Sequence, residues 1–290
     1  MAEKTSVAGS ILETVKTVVY ALLIAGVFRT VFFQPFWIPS GSMKDTLLIG
    51  DFLFVNKMAY GYSYASCPSI RIARLGIDIT AEDFCGMFQG AESRFLGSDP
   101  ERGDVVVFRH PVTGVDFIKR LIGLPGDRVQ VIQGIVYIND VMAPQEDAGI
   151  FAETFQPEGQ GPQSQRMSCE NGTVGAGADC TSSRARETLP NGVVHNVLNI
   201  DSNQPPANGA FDADNTGIYT VPAGHYFFMG DNRDNSTDSR FPQAAPTNGV
   251  GFVPLEDIVG RADRIMFSSA GTSMLAFWTW RSDRYLMAVE

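Results

Sequence analysis

Apolar residues are concentrated near the start of the chain and recur afterwards in short runs separated by polar turns. The twelve residues Thr17–Phe28 carry no charge and lie between Lys16 and Arg29. As a helix this stretch would rise only about 18 Å, against a hydrocarbon core of about 30 Å. Basic side chains at both ends and the aromatic residues that follow nevertheless favour a membrane span. We therefore expect a retained transmembrane helix ending near Gln34, with residues 1–36 as cytoplasmic tail and anchor.

Beyond this anchor, runs of β-branched and aromatic residues are bounded by Gly, Pro, Asp and Asn, which is typical of strands and turns. The predicted strands are 47–55, 105–108, 115–122, 129–132, 134–139, 217–222, 225–229, 249–252, 258–262 and 264–267. Residues from about 143 to 206 are richer in Gln, Glu, Gly, Asn and Ser, and predict a polar, loop-rich excursion. The pattern therefore predicts a mainly β protein with residues 37–290 as its principal domain.

Composition narrows the class of function. The chain has 290 residues and a net charge of -10, which argues against a nucleic-acid partner. Its three histidines are not spaced as metal ligands, so we expect neither a metal nor another cofactor. The four cysteines fit disulfides in an oxidising compartment outside the cytoplasm. In sequence they fall as two local pairs, Cys67 with Cys85 and Cys169 with Cys180. Four cysteines allow three pairings, and the sequence leaves all three open.

Hydroxyl groups on a tight turn between two apolar segments are the first candidates for chemistry. Ser40 and Ser42 follow Pro39 in such a turn. A serine needs a base to become a nucleophile, and Lys119 lies inside an apolar strand where burial would lower its pKa. A neutral amine there can take the proton of Ser42 and return it to the leaving group. A Ser-His-Asp triad is the alternative, because residue order alone does not exclude it.

Five segments, in this order along the chain, resemble the successive sequence boxes of bacterial type I signal peptidases. They are Pro39–Met43 with Thr46 and Leu47, Gly50-Asp51, Arg102–Phe108, Ile118–Arg120 with Gly123–Asp127, and Gly230–Arg240. The resemblance implies an antiparallel β catalytic domain with an inserted cap subdomain, here at about residues 140–222. It also implies a single-pass protein of the cytoplasmic membrane, in contact with lipid, whose catalytic domain faces the periplasm.

The same resemblance implies a serine endopeptidase that removes signal peptides from exported preproteins after Ala-x-Ala-type sites. Ser42 would be the nucleophile, Lys119 the general base, Ser40 an oxyanion-hole hydroxyl and Ser236 the group that orients the lysine. The resemblance also implies two supporting ion pairs and a set of residues that line small apolar pockets for the substrate. The pairs are Asp231 with Arg120 and Asp238 with Arg240, and the pocket residues are Ile38, Pro39, Met43, Leu47 and Ile118.

The sequence departs from the family pattern at Asp45, where many relatives have proline, and it leaves two alternative functions open. One is a dedicated Ser/Lys processing peptidase of a conjugation or pilus system. The other is a catalytically inactive, membrane-tethered scaffold that binds exported chains, against which the intact Ser42 and Lys119 argue.

Overall fold

The computed structural model describes residues 7–67, 70–72, 77–79, 83, 86, 94, 97–155, 167–200, 212–243, 249–270, 274 and 276–289. Over these residues the protein is mainly β and its strands pair antiparallel, which confirms the predicted fold class. Helix α1 spans Val7–Val31. It ends earlier than predicted, because strand β1 begins at Phe33 and contains Pro35. Proline is tolerated there because β1 is the edge strand of its sheet.

Helix α1 corrects the expectation of a transmembrane anchor. In the part of the chain that the structure describes, no helix has the length and apolar character that a membrane crossing requires. Glu13 and Lys16 lie within the helix, and only residues 17–28 are uncharged before Arg29, whereas a span needs about 20 apolar residues. Many apolar side chains of this N-terminal helix are exposed, among them Ile11, Leu22, Leu23 and Ile24.

The strands are numbered along the chain. They are β1 (Phe33–Trp37), β2 (Asp51–Asn56), β3 (Ile70–Ile72), β4 (Ile77–Ile79), β5 (Val105–Arg109), β6 (Asp116–Gly123), β7 (Arg128–Ile132), β8 (Ile135–Ile138), β9 (Val141–Met142), β10 (Gln145–Thr154), β11 (Met167–Cys169), β12 (Gly172–Val174), β13 (Asp179–Thr188), β14 (Val194–Asn199), β15 (Tyr219–Thr220), β16 (His225–Met229), β17 (Val253–Pro254) and β18 (Ile258–Ser268). Short 3-10 helices cover Tyr64–Ser66, Arg233–Asn235, Leu255–Asp257, Phe277–Thr279 and Ser282–Arg284.

Seven strands form the main sheet in the order β1-β2-β18-β5-β6-β16-β17. Strand β6 lies between β5 and β16, with Lys119 opposite Val106 and Arg120 opposite Met229. A four-stranded sheet has the order β15-β7-β8-β9, and a three-stranded sheet has the order β10-β13-β14. We call this three-stranded sheet the cap sheet. The pairs β3-β4 and β11-β12 are separate hairpins.

The cap sheet shows that the prediction of a loop-rich excursion over residues 143–206 was wrong. Strands β10 and β13 have ten residues each, and β14 has six. Side chains of β10 are exposed or half-buried along its whole length, so no alternation of apolar and polar residues marks it as a strand. Cys169 and Cys180 form a disulfide beside this sheet. Cys67 is also disulfide-bonded, and Cys85 lies outside the described residues.

The apolar core consists mainly of three clusters. One of them underlies the serine segment, or serine loop, which comprises residues 38–50 between β1 and β2. That cluster joins residues of the serine segment to strands β2, β5, β6 and β18. Its fully buried members include Ile38, Met43, Leu47, Leu53, Val55, Val107 and Ile265. A second cluster lies between the four-stranded sheet and β16, and a third packs around β5 and β16. The serine segment is thus anchored in the core of the main sheet.

Candidate active site

The serine segment is a closed loop between β1 and β2. Backbone hydrogen bonds join its two ends, from Ile38 N to Asp51 O at 2.9 Å and from Gly50 N to Ile38 O at 3.1 Å. Gly50 has a φ of +90°, and a Cβ atom there would collide with the backbone carbonyl of Ser269. Only glycine fits this closure. The loop therefore leaves the sheet and returns at one point, which fixes the position of the two serines that it carries.

The structure brings the predicted nucleophile and the predicted base into contact. Lys119 Nζ lies 2.6 Å from Ser42 Oγ, and it also donates a hydrogen bond to the carbonyl oxygen of Ile118 at 3.0 Å. Both Lys119 and Ser42 are buried. Burial lowers the pKa of Lys119 to about 8, although the carboxylates of Asp238 and Asp231 oppose part of this change. The amine is thus neutral in about a tenth of the molecules at pH 7, a far larger fraction than for an exposed lysine.

The two other predicted hydroxyls lie at the site, but they differ in their contacts. Ser40 is exposed, and its Oγ lies 3.5 Å from Ser42 Oγ. Ser236 is buried, and within the described residues its Oγ makes no hydrogen bond of standard geometry. Its hydroxyl nevertheless helps to hold the pKa of Asp238 low. The expected bond from Ser236 to Lys119 is thus not formed in this conformation, and its orienting role stays a prediction.

The predicted ion pair of Arg120 and Asp231 lies directly behind the serine loop. The guanidinium donates two hydrogen bonds to the carboxylate, at 2.8 Å and 2.7 Å, and both side chains are 1% exposed. Thr46 in the serine loop donates a third hydrogen bond to Asp231, at 2.6 Å. Burial alone would raise the pKa of Asp231, but Arg120 holds it below its usual range. The pair therefore stays ionised and connects strand β6 to the loop.

Asp238 and Arg240 form the second predicted pair, also fully buried. Their hydrogen bonds measure 2.9 Å and 3.0 Å. Asp238 further accepts a hydrogen bond from Gly230 N at 3.0 Å. Burial favours the neutral acid, but Arg240 outweighs it and lowers the pKa of Asp238. This negative charge lies near Lys119 and raises the lysine's pKa, so it limits how far burial can lower it.

Two residues that the sequence analysis did not single out also position Ser42. The backbone N–H of Asn232 donates to Ser42 O at 3.1 Å, and its side-chain amide donates to Gly41 O at 3.0 Å. A Cβ atom on Gly230 would collide with both Ser236 Oγ and Ser42 O. Both residues belong to the Gly230–Arg240 segment. That segment carries the family resemblance and is a dense polar loop after an apolar strand, but neither signal distinguishes these two residues within it.

The predicted pocket residues divide into one exposed and four buried positions. Pro39 is exposed at the rim of the loop. The other four are at most 5% exposed and lie in the core cluster beneath the loop; they are Ile38, Met43, Leu47 and Ile118. Their contribution to substrate pockets stays a prediction, and in the structure they are apolar support for the loop that carries Ser42.

The histidine alternative receives no support from the described contacts. His195 lies 3.3 Å from Glu187 and 4.0 Å from Asp231, so it faces the carboxylates behind the site. Glu187 also binds Arg233 through two hydrogen bonds, at 2.6 Å and 3.0 Å. His110 accepts hydrogen bonds from two backbone N–H groups of its own turn. Among the described residues, Lys119 is therefore the base candidate that the structure places against Ser42.

Comparison with known proteins provides independent support for the resemblance. A family model described as signal peptidase, peptidase S26, matches residues 11–267. A protein named signal peptidase I from Rickettsia typhi is 37% identical over 254 residues, which cover 86% of this chain and 78% of that protein. The protein of the same name from Rickettsia prowazekii is 36% identical over 254 residues, with the same two shares covered.

A crystal structure of a signal peptidase I from Enterococcus faecalis V583 is also similar. It has 24% sequence identity and a TM-score of 0.28, and the match covers 57% of this chain and 97% of that one. The superposition is weak, so the family assignment depends on the sequence matches. These matches confirm the resemblance of the five segments, and the chain therefore belongs to the signal peptidase family, peptidase S26.

Proposed function

We propose that this protein is a serine endopeptidase that removes N-terminal signal peptides from exported preproteins with a Ser42/Lys119 dyad. The observation that carries the proposal is the 2.6 Å separation of Lys119 Nζ and Ser42 Oγ inside a buried site. The family supplies the reaction class, and the geometry supports a way for these two side chains to perform it. Among the described residues, no contact favours a dedicated processing peptidase.

In the first step, neutral Lys119 accepts the proton of Ser42 while Oγ attacks the carbonyl carbon of the scissile peptide bond. The electrons of the carbonyl double bond move to its oxygen and produce an oxyanion. The backbone N–H of Ser42 and the hydroxyl of Ser40 are the proposed donors to that oxyanion. The exposed position of Ser40, beside the nucleophile, supports this role.

The protonated lysine then gives its proton to the leaving amine as the carbon–nitrogen bond breaks, and an acyl-enzyme on Ser42 remains. The neutral lysine next takes a proton from a water molecule as its oxygen attacks the ester carbon. The bond between that carbon and Ser42 Oγ then breaks, the lysine returns its proton to Oγ, and the product leaves with a new carboxyl group. Burial keeps the neutral form of Lys119 accessible in both steps, because charging it costs desolvation. Arg120 with Asp231, and Asp238 with Arg240, hold the surrounding loops and do not exchange protons in this scheme.

We further propose that the substrate lies extended along the rim of the serine loop, with small side chains such as alanine on either side of the cut. Pro39 is exposed there, and buried apolar residues form the support beneath it. An extended peptide can pair with an exposed strand edge, and β1 is the edge strand that leads into this loop. Ala-x-Ala-type sites would therefore be preferred.

The proposed place of action is a membrane surface facing an oxidising compartment. The Cys169–Cys180 disulfide supports that compartment. Helix α1 exposes many apolar side chains, and two aromatic residues near the C-terminus, Phe277 and Trp278, are also exposed. Exposed aliphatic side chains favour the hydrocarbon of a membrane, and exposed aromatic rings favour the boundary between lipid and water. A vesicle flotation assay in which the chain does not bind lipid would contradict this location.

The proposal is tested by cleavage of a precursor that carries an Ala-x-Ala site, using the detergent-solubilised protein. Ser42→Ala and Lys119→Ala should each abolish detectable cleavage while the protein stays folded, because nucleophile and base act as one unit. The matched controls are Ser98→Ala and Lys16→Ala, which remove the same groups at exposed positions. Wild-type rates in either catalytic variant would refute the dyad.

A further inference from the structure

The cap sheet contacts the serine loop through two residues that directly follow the turn carrying Ser42. Lys44 Nζ lies 2.6 Å from Glu153 Oε1, and the lysine side chain is only 3% exposed. Asp45 accepts a hydrogen bond from Asn196 Nδ2 at 3.0 Å, and lies 3.4 Å from Arg184 Nη1. The loop and its cap partners are more than 100 residues apart in sequence, so only the tertiary fold brings them together.

Each strand of the cap sheet supplies one of these partners. Glu153 is on β10, Arg184 on β13 and Asn196 on β14. The three side chains therefore meet the loop as parts of one hydrogen-bonded antiparallel sheet. A contact made by three adjacent strands is stiffer than one made by a single loop, because the strands restrict one another.

The backbone transmits this contact to the nucleophile. Lys44 N donates a hydrogen bond to Gly41 O at 3.1 Å, which closes a turn that contains Ser42. On the main-sheet side, Asn232 N holds Ser42 O. Ser42 is thus positioned from two directions. The ion pair with Glu153 stabilises the side chain of Lys44 in its buried position. Loss of that partner would displace the turn, and with it the serine oxygen.

From this arrangement we infer that the cap sheet is a positioning element of the catalytic site, acting through Glu153, Arg184 and Asn196. The inference rests on the proposed function and deepens it. The three residues touch neither the reacting atoms nor Lys119 in any described contact. They hold the turn so that Ser42 Oγ stays within reach of the lysine. Misplacement by about 1 Å typically costs about a hundredfold in rate, so the effect belongs in kcat.

The test measures kcat and KM for precursor cleavage, together with thermal unfolding, in Glu153→Gln, Glu153→Asp, Arg184→Gln and Asn196→Ala. For Glu153→Gln we expect kcat to fall by about 10- to 100-fold with KM changed less than about threefold. Glu153→Asp, which keeps the carboxylate, should recover part of that loss. Arg184→Gln and Asn196→Ala should each lower kcat by a smaller factor. If Glu153→Gln does not fold, these milder variants decide the matter.

Glu146→Gln is the matched control, since Glu146 is an exposed carboxylate on the same strand β10. Its kcat should stay within about twofold of wild type, as for other exposed substitutions. The pH midpoint of kcat/KM should be the same in all variants, because Lys119 is untouched. A pure positioning effect lowers the plateau of that profile and leaves its midpoint in place.

Three results would overturn the inference. A rise in KM at unchanged kcat would make the cap sheet a substrate-binding surface instead. A kcat loss that vanishes when corrected for the folded fraction would reduce the contacts to ordinary stability. Equal kcat in wild type and all cap variants would show that these contacts do not contribute to the catalytic rate. Failure of the proposed function is distinguishable, because it would appear as an inactive wild type or a fully active Ser42→Ala protein.

Discussion

The candidate site beside the main sheet and the region β7–β14 contain the same kind of charged pair in opposite environments. Arg120 and Asp231 pair behind the serine loop with both side chains 1% exposed. Arg128 and Asp140 pair at the surface of the second region with 47% and 74% of their side chains exposed. The donor–acceptor distances, 2.7 Å and 2.9 Å, hardly differ. The distance therefore does not indicate how much each pair contributes to the free energy of unfolding, whereas its burial does.

The largest expected difference between the two regions concerns these ion pairs. Asp231→Asn leaves Arg120 buried without its counter-charge, and we expect the free energy of unfolding to fall by about 3–5 kcal/mol. Asp140→Asn breaks a solvated pair and should cost less than about 1 kcal/mol. Denaturant unfolding followed by tryptophan fluorescence gives both values. Equal losses in the two variants would mean that the environment does not decide the energy of these pairs.

Two glycines, one in each region, extend the comparison to side-chain packing. Gly230→Ala places a methyl group against Ser236 Oγ and Ser42 O, whereas a Cβ at Gly175 meets no atom within 4 Å. We expect kcat to fall about 100-fold in Gly230→Ala, because the serine must shift. Gly175→Ala should leave kcat unchanged and the stability equal or slightly higher. An unaffected kcat in Gly230→Ala would show that the serine loop tolerates displacement.

The smallest expected effect is the response of the rate to pH, which should follow one buried group of the main sheet. In the proposed mechanism the neutral form of Lys119 is the base, and burial lowers its pKa to about 8. The value of kcat/KM should therefore increase with pH, falling about tenfold for each unit below that pKa and levelling off above it. Measurement between pH 7 and 9 avoids Asp234, whose pKa burial raises to about 6. A flat profile would contradict the lysine base.

Hydrophobic patterning was a good guide to the strands of the main sheet. The predicted 105–108 and 225–229 match β5 and β16 closely, and 258–262 with 264–267 form the single long strand β18. These strands are buried on at least one face, so apolar residues mark them. The pattern missed β1, in which Pro35 suggested a helix end, and it missed the cap strands. Strand β10 places polar side chains on both faces and leaves no periodic signal. The buried positions of β13 and β14 include polar residues such as Ser182, Glu187 and His195, so hydrophobicity does not mark these strands either.

The residues of the candidate site likewise divide into those that the local sequence indicated and those that it did not. The serine turn and the lysine in an apolar strand were visible because local sequence announces a turn and a buried strand. Glu187, His195 and the loop partner Glu153 had no such signal, since they lie in a polar stretch that resembles a surface loop. Their burial, or their contact with the serine loop, depends on the docking of one sheet against another. No local pattern encodes that event.

The sequence by itself determined the family, the mainly β fold and the candidate dyad, because strand periodicity and turn residues are local properties and the five segments occur in a specific order. Only the tertiary structure decided that Lys119 reaches Ser42, that two arginine–carboxylate pairs are buried behind them, and that the cap sheet contacts Lys44 and Asp45. Those contacts join residues distant in the chain, and their energies depend on burial, which arises only when the sheets pack together.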